Sequence, residues 1–244
     1  MSPVIEVSNL RKAYGETTAV ADVSFTVDSE EIFGILGPNG AGKTTTVECV
    51  SGMRRRDGGA IRVLERDPDH DGAELRELVG VQLQESQLPE KIRVWEALEL
   101  YSTFYAEPAD WRELLDAMGL SAQRKAKFGT LSGGQKQRLS IALALVGEPR
   151  IAVLDELTTG LDPAARRDTW ALIESVRNRG VTVVLVTHFM EEAERLCDRV
   201  AVIDAGRTVA VDTPAALIKR VQDEHGLDRA TLEDAYLALT GARL

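Results

Sequence analysis

The sequence carries no excess of positive charge. Its 39 Asp and Glu residues outnumber its 29 Lys and Arg residues, so the formal net charge is -10 at pH 7 and the sequence pI is about 4.9. Domains that follow a nucleic-acid backbone are usually strongly basic. We therefore expect no nucleic-acid partner.

Cysteines and long apolar runs are also scarce. The two cysteines, Cys49 and Cys197, lie far apart, which excludes the paired spacing of a zinc site or a disulfide framework and favours a reducing cytoplasm. The longest apolar runs, such as residues 181–186, are far shorter than the ~20 residues that span a bilayer. Residues 1–15 show no apolar stretch after a positive cluster, so we expect neither a signal peptide nor a transit peptide. Any work at a membrane would need a partner.

The chain has 244 residues, enough for one large α/β domain with a substantial core. Short β-branched runs alternate with helical periodicity, and several are apolar throughout, which is typical of strands buried on both faces of a mostly parallel sheet. The predicted strands span residues 4–7, 22–27, 31–36, 60–64, 79–83, 151–154, 181–186 and 200–203. The predicted helices span residues 43–50, 92–105, 109–118, 132–146, 215–220 and 230–239. Because no strand separates the second, third and fourth of these helices, we predict a helical insert over residues 86–147 in a core formed by 1–85 and 148–244.

One loop between a predicted strand and a predicted helix fits the pattern G-x-x-x-x-G-K-[ST]. It consists of Gly37, Pro38, Asn39, Gly40, Ala41, Gly42, Lys43 and Thr44. Glycines let backbone N–H groups turn toward an anion, and the helix N-terminus and Lys43 add positive charge. Thr44 is suited to place its hydroxyl on Mg²⁺ and Thr45 to reach an inner phosphate oxygen. The loop predicts a nucleotide phosphate site.

A second loop of small residues also precedes a helix. Leu131 is followed by Ser132, Gly133, Gly134 and Gln135, with Ser132 as the predicted N-cap. A helix start of this kind is another anion site. Because one phosphate group cannot easily be enclosed by both loops of one chain, the second loop favours a nucleotide held by another molecule. The sequence therefore predicts a symmetric dimer.

Polar side chains follow three of the apolar strands. Asp155 and Glu156 follow residues 151–154, His188 follows 181–186 by one residue, and Gln84 follows 79–83. The carboxyl ends of strands in open α/β sheets are where ligands bind. We predict that Asp155 holds Mg²⁺ through water, that Glu156 orients or deprotonates the attacking water, and that His188 donates a hydrogen bond to a γ-phosphate oxygen.

Taken together, these residues resemble the nucleotide-binding domain of ATP-binding cassette (ABC) proteins over essentially the whole chain. The resemblance implies a P-loop NTPase fold with a RecA-like, mostly parallel core, an antiparallel β subdomain and an inserted helical subdomain. The resemblance implies that Tyr14 stacks on adenine, that Gly37 to Thr45 form the Walker A loop, and that Gln84 is the Q-loop glutamine and a Mg²⁺ ligand. It implies that Leu131 to Gln135 are the family signature. It also implies that Asp155 is the Walker B aspartate, Glu156 the catalytic glutamate, Asp162 the D-loop aspartate and His188 the switch histidine.

The resemblance also carries implications for partners. Ser132 and Gly134 would contact the γ-phosphate on the Walker A loop of a second ATPase subunit, so that two ATP molecules are sandwiched head to tail. Residues 187–194 and 232–241 resemble the ATPases of ABC-2-type exporters, which implies membrane permease subunits and a place on the cytoplasmic face of the cell membrane. Gln84 would pass the state of Mg²⁺ and the γ-phosphate to the helical insert. One departure from the family pattern is Leu157, where most members carry Pro.

Two alternatives remain at this stage. The first is a soluble cassette ATPase in DNA repair, translation or cofactor assembly, against which stand the acidic charge and the lack of a long coiled coil between the two loops. The second is a regulatory module that uses ATP only as a dimerising ligand, against which stand Glu156 and His188.

Overall fold

The computed structural model describes residues 3–83 and 88–241. Its strands, in chain order, are β1 (Ile5–Tyr14), β2 (Thr17–Val27), β3 (Ile32–Leu36), β4 (Gly58–Val63), β5 (Val79–Gln82), β6 (Ile151–Asp155), β7 (Thr182–Thr187), β8 (Arg199–Asp204) and β9 (Arg207–Asp212). Its α-helices are α1 (Lys43–Val50), α2 (Gly72–Leu78), α3 (Val94–Ser102), α4 (Trp111–Ala117), α5 (Gly133–Leu145), α6 (Pro163–Arg177), α7 (Met190–Leu196), α8 (Pro214–His225) and α9 (Leu232–Thr240). Packing divides the chain into a first unit, Met1–Leu75 with Val184–Leu244, and a second unit, Arg76–Val183.

The first unit is built on a mixed sheet. Six of its strands lie side by side in the order β4-β1-β2-β9-β8-β3. The pairs β1–β2, β1–β4 and β8–β9 are antiparallel, whereas β2–β9 and β3–β8 are parallel. Helix α1 packs on β1, β2 and β4, and α7 packs on β3. Strands β3 and β7 are buried along their whole length, as expected for strands covered on both faces.

The second unit contains a parallel pair of strands and the helices α3, α4, α5 and α6. β5 and β6 pair from Val79↔Ile151 to Gln82↔Leu154. Helix α5 packs on both strands and also contacts α3, α4 and α6. Its buried side includes Leu139, Ile141, Ala142 and Leu145. The helices predicted within residues 86–147 therefore fall in this unit, while their assignment to a subdomain of their own stays a prediction.

Strand β5 approaches helix α5 so closely that Gly80 has no room for a side chain. A Cβ atom built on Gly80 would lie 1.9 Å from the carbonyl oxygen of Ala144 and 3.0 Å from Cγ of Pro149. We therefore expect Gly80→Ala to lower the free energy of unfolding by about 3 kcal/mol, because backbone atoms would have to move apart. Urea unfolding of the full chain measures this. Gly72→Ala is the matched control, since nothing lies within 4 Å of a Cβ atom there, and equal unfolding midpoints for the two variants would contradict the packing described.

The predicted α/β class is confirmed, and most predicted strands and helices are present within a few residues. The differences concern half-exposed elements. The prediction missed β9, which alternates exposed and half-buried residues, and it gave only the apolar ends of β1 and β2. It also missed α2, α6 and α7. Cys49 and Cys197 are buried free thiols, and burial raises the pKa of Cys49 to about 11.

Candidate nucleotide site

The loop between β3 and α1 depends on glycine for its shape. Gly40 and Gly42 have φ angles of 82° and 94°, in the region that side chains with a Cβ atom rarely adopt. A Cβ atom at Gly37 would lie 2.2 Å from the carbonyl oxygen of Ile203, and one at Gly42 would lie 2.4 Å from that of Ala19. The loop therefore holds its backbone against neighbouring backbone, with Pro38, Asn39 and Gly40 exposed and Ala41 buried.

The N-terminus of α1 has features that favour the binding of an anion. Its N-cap residue, Gly42, offers no side-chain cap, and the first helical turn contains no acidic residue. Lys43 is only 5% exposed, and its ammonium group donates hydrogen bonds to the carbonyl oxygens of Gly37 and Pro38 at 2.9 and 3.0 Å. The charge of Lys43 thus lies within the loop itself. Thr44 is exposed and Thr45 half-buried on the first turn, where their hydroxyl groups can face a ligand on the loop.

A cavity lies beside this loop in the first unit. Its volume is about 710 Å³, and its lining includes Lys12, Val20, Asp57 and Arg207. Cγ2 of Val20 would be 3.3 Å from a Cβ atom at Gly42, so one residue of the lining lies against the loop. Tyr14, which ends β1, directly follows the lining residue Ala13 and is 41% exposed. The size suits a small organic ligand.

The second small-residue loop begins α5 in the way the sequence predicted. Ser132 is the N-cap, its hydroxyl oxygen accepting the N–H of Gln135 at 3.3 Å while its own N–H donates to Oε1 of Gln135 at 2.9 Å. Ser132 and Gly133 are exposed, and Gly134 is half-buried. No acidic residue lies in the first turn of α5. This exposed helix start can also receive an anion.

The carboxylates of Asp155 and Glu156 lie at and directly after the end of β6. Asp155 is fully buried at its end, and its N–H donates to Oε1 of Gln82 at 3.1 Å. Glu156 follows with a φ of 50°, a left-handed conformation that is uncommon for a residue other than glycine. Gln82 was missed by the sequence analysis. The sequence feature that could have identified Gln82 is an amide residue at the end of an apolar strand.

The loop after Glu156 is anchored by packing and ends in a capped helix. Leu157, in place of the usual Pro, is fully buried, so a side chain in the core restrains this segment where a proline ring is missing. Asp162 is the N-cap of α6, and its Oδ1 accepts the N–H groups of Ala165 and Ala164, both at 2.9 Å. These two hydrogen bonds lower the pKa of Asp162.

His188 follows β7 directly and is half-buried. Its ring lies 4.1 Å from the ring of Phe189, centroid to centroid, and the N–H of Phe189 donates to Oγ1 of Thr187 at 3.0 Å. The first unit thus contains Tyr14, the loop from Gly37 to Thr45, and His188. The second contains Ser132 to Gln135, Asp155, Glu156 and Asp162, and the predicted Gln84 lies outside the described residues.

Within residues 3–83 and 88–241, no group of three or more His, Cys, Asp and Glu side chains could hold a metal ion by itself. Nor does this part of the chain contain a helix with the length and apolar character needed to cross a bilayer.

Comparison with known proteins agrees with the fold and the loop. Residues 20–159 match the ABC transporter family. A curated relative, the Nod factor export ATP-binding protein I of Burkholderia lata, is 42% identical over 244 residues, which cover 96% of this chain and 80% of the relative. A solved ATP-binding subunit of an ABC transporter superimposes with a TM-score of 0.84 at 28% identity, covering 97% of this chain and 99% of that one. CbiO1 of Clostridium perfringens, part of the ABC transporter complex cbiONQ, gives a TM-score of 0.79 at 27% identity over 91% of this chain and 95% of that one.

The fold and the loop define a P-loop ATPase. The chain belongs to the ABC transporter family, as an ATP-binding and ATP-hydrolysing subunit whose hydrolysis drives transport. The predicted family membership, fold and ATPase activity are confirmed. The curated relatives are export proteins by name, in agreement with the prediction of an exporter ATPase, and the comparisons give no support to a soluble ATPase of DNA repair, translation or cofactor assembly.

Proposed function

We propose that this ATPase works as a pair of copies, in which the Walker A loop of each copy and the Ser132 turn of the other enclose one ATP. The observation that carries this proposal is an exposed loop of small residues at the start of α5, in addition to the Walker A loop at the start of α1. Neither α1 nor α5 has an acidic residue in its first turn, and the start of α5 is exposed at Ser132 and Gly133. A symmetric pair gives the second helix start a ligand.

Nucleotide binding begins in the first unit. The triphosphate lies on the backbone N–H groups of the Walker A loop, and Lys43 turns its ammonium group from the carbonyl oxygens of Gly37 and Pro38 to phosphate oxygens. Thr45 hydrogen-bonds to an inner phosphate. The nucleoside lies in the cavity beside the loop, with its base against the exposed ring of Tyr14.

Magnesium is the metal that the donor atoms fit. The hydroxyl of Thr44 and the carboxylate of Asp155 are hard oxygen ligands, and Gln84 would add an amide oxygen. Mg²⁺ usually keeps several waters and takes only one or two carboxylates plus substrate phosphates, so a three-residue cluster is not required. When bound, the ion would neutralise charge on the β- and γ-phosphates.

Hydrolysis follows from the residues after β6 and β7. Glu156 orients the attacking water and takes its proton while oxygen attacks the γ-phosphorus and the bond to the bridging oxygen of ADP breaks. His188 donates a hydrogen bond to a γ-phosphate oxygen, where charge must be stabilised. Asp162 holds the start of α6 beside this chemistry, and Gln84 relays its state to the helices that follow.

Transport by an ATPase of this family needs partners that form the path across the membrane. We propose that integral membrane permease subunits hold two copies of it at the cytoplasmic face of the cell membrane. CbiO1, a structural neighbour, is part of a multi-subunit transporter complex, which supports this arrangement. Co-purification with a polytopic membrane protein from a membrane fraction is expected, whereas recovery only from ribosomes or DNA would contradict it.

A pair of substitutions at Ser132 tests the two-copy site. Asp and Asn have nearly the same shape and both cap helices well, so Ser132→Asp and Ser132→Asn should fold equally. Only Asp adds a negative charge facing the proposed γ-phosphate. We expect Ser132→Asp to abolish ATP-dependent dimerisation, measured by light scattering, with Ser132→Asn keeping most of it. ATP binding by the single chain should persist in both, and equal dimerisation of the two variants would contradict the proposal.

A further inference from the structure

Two cations surround the ring of Tyr14, and the functions described above do not use them. The guanidinium carbon of Arg54 lies 5.0 Å from the centroid of the Tyr14 ring. The ammonium nitrogen of Lys12 lies 5.8 Å from the same centroid. Both distances are within the ~6 Å range in which a cation is attracted to the face of an aromatic ring. The ring nevertheless remains 41% exposed, so part of its surface is still open to a ligand.

Each of these cations is held in place by a carboxylate. Nε of Arg54 is 2.5 Å from Oε2 of Glu48, the residue near the end of α1. Nζ of Lys12 is 2.7 Å from Oδ1 of Asp57, whose Oδ2 also accepts the N–H of Ala13 at 2.8 Å. The hydrogen bonds with Glu48 and Asp57 raise the pKa values of Arg54 and Lys12, so both stay charged. The cations therefore have defined positions relative to the ring.

The neighbouring arginines have different environments, which separates Arg54 from a general basic surface. Arg54, Arg55 and Arg56 are consecutive in the sequence. Arg56 forms a two-pronged hydrogen bond with Asp67, with both distances 2.7 Å, and Arg55 is exposed. Arg54 is thus the one of these three arginines for which the structure gives a contact with Tyr14.

We propose that Arg54 is a positioning residue for nucleotide recognition. Arg54, held by Glu48, covers part of the Tyr14 ring and fixes the orientation of the ring. The ring is therefore already ordered when the base of the nucleotide stacks on its open part. Order before binding lowers the conformational entropy lost on binding. Lys12 and Asp57, which line the adjoining cavity, restrain the strand that carries the ring. This inference rests on the proposed role of Tyr14 as the surface that stacks on the base.

The test separates binding of the base from binding of the phosphates. Calorimetric titration of the full chain gives dissociation constants for ATP and for inorganic tripolyphosphate, both with magnesium. The constant for tripolyphosphate divided by the constant for ATP measures the contribution of the nucleoside. We expect Arg54→Ala to reduce this ratio about threefold, the size of one exposed cation–π contact, and to raise the KM for ATP with kcat unchanged. Arg54→Lys should keep most of the ratio, and Glu48→Gln should lose part of it. Arg55→Ala is the matched control and should leave the ratio unchanged.

The outcomes distinguish this inference from the proposal on which it rests. If Tyr14→Ala removes the preference for ATP over tripolyphosphate and Arg54→Ala does not reduce it, the positioning role of Arg54 is wrong while the stacking role of Tyr14 stands. Tighter ATP binding by Arg54→Ala would also overturn the inference, because Arg54 would then block the ring. If Tyr14→Ala leaves the preference intact, both roles fail. A fall in kcat at unchanged KM would indicate a structural effect and overturn the assignment.

Discussion

Replacing Glu156 by Gln is expected to slow ATP hydrolysis at least about 100-fold, the usual contribution of a positioned general base, while ATP binding persists. Gln has the shape of Glu and remains neutral, so it cannot accept the proton of the attacking water. Because Gln has nearly the same size as Glu, ATP should still bind on the Walker A loop. The ATP-bound pair should therefore form and stay closed for long periods, because reopening follows hydrolysis.

Phosphate release and size-exclusion chromatography with ATP measure the two halves of this prediction. Glu148→Gln is the matched control. Glu148 has a φ of 49°, almost the same left-handed backbone as the 50° of Glu156, and it is exposed just before β6. The two variants thus carry the same chemical change on the same backbone conformation. Rapid turnover by Glu156→Gln, or equal loss of activity in Glu148→Gln, would contradict the role assigned to Glu156.

Replacing Lys43 by Ala is expected to weaken ATP binding by roughly 10- to 100-fold, the range for a hydrogen bond to a charged group. Phosphate release should then disappear at ordinary ATP concentrations. Lys43 is nearly buried, and its ammonium group bonds the carbonyl oxygens of Gly37 and Pro38, so the free loop also loses two hydrogen bonds. Thermal unfolding without nucleotide measures this second effect separately from binding.

An exposed lysine provides the control for Lys43. Lys219 lies on the exposed side of α8, and Lys219→Ala should bind and hydrolyse ATP as the unchanged chain does. Lys43→Ala that still releases phosphate at the wild-type rate would show that the ammonium group does not contact the nucleotide.

Local features of the site could be predicted from the sequence because a few adjacent residues determine them. The Walker A loop needs glycine where backbone meets backbone, as at Gly37 and Gly42. Ser132 was predicted as an N-cap, and the structure has it in that position. Asp155 was predicted at the end of an apolar strand, where it lies buried. In each case, residues that are adjacent in the sequence determine the local conformation, so the feature can be predicted from the sequence.

Other features depend on contacts between distant residues. The contact of Arg54 with Tyr14 joins residues 40 positions apart in sequence, and nothing in the local pattern of either residue indicates it. Strand β9 was missed because it is half-exposed and polar, and its strand conformation comes from antiparallel pairing with β8. Helix α6 begins with Asp162 and Pro163, a recognisable start signal, but the sequence analysis gave Asp162 only the role that the family resemblance implies.

In the proposed pair, each ATP touches two copies of the chain. The most direct measurement is an experimental structure of Glu156→Gln with magnesium and ATP, because slow hydrolysis keeps the nucleotide intact. We predict a closed pair in which the γ-phosphate on the Walker A loop of one copy accepts a hydrogen bond from Ser132 of the second copy. A closed assembly in which the Ser132 turn of neither copy reaches a triphosphate would contradict the account.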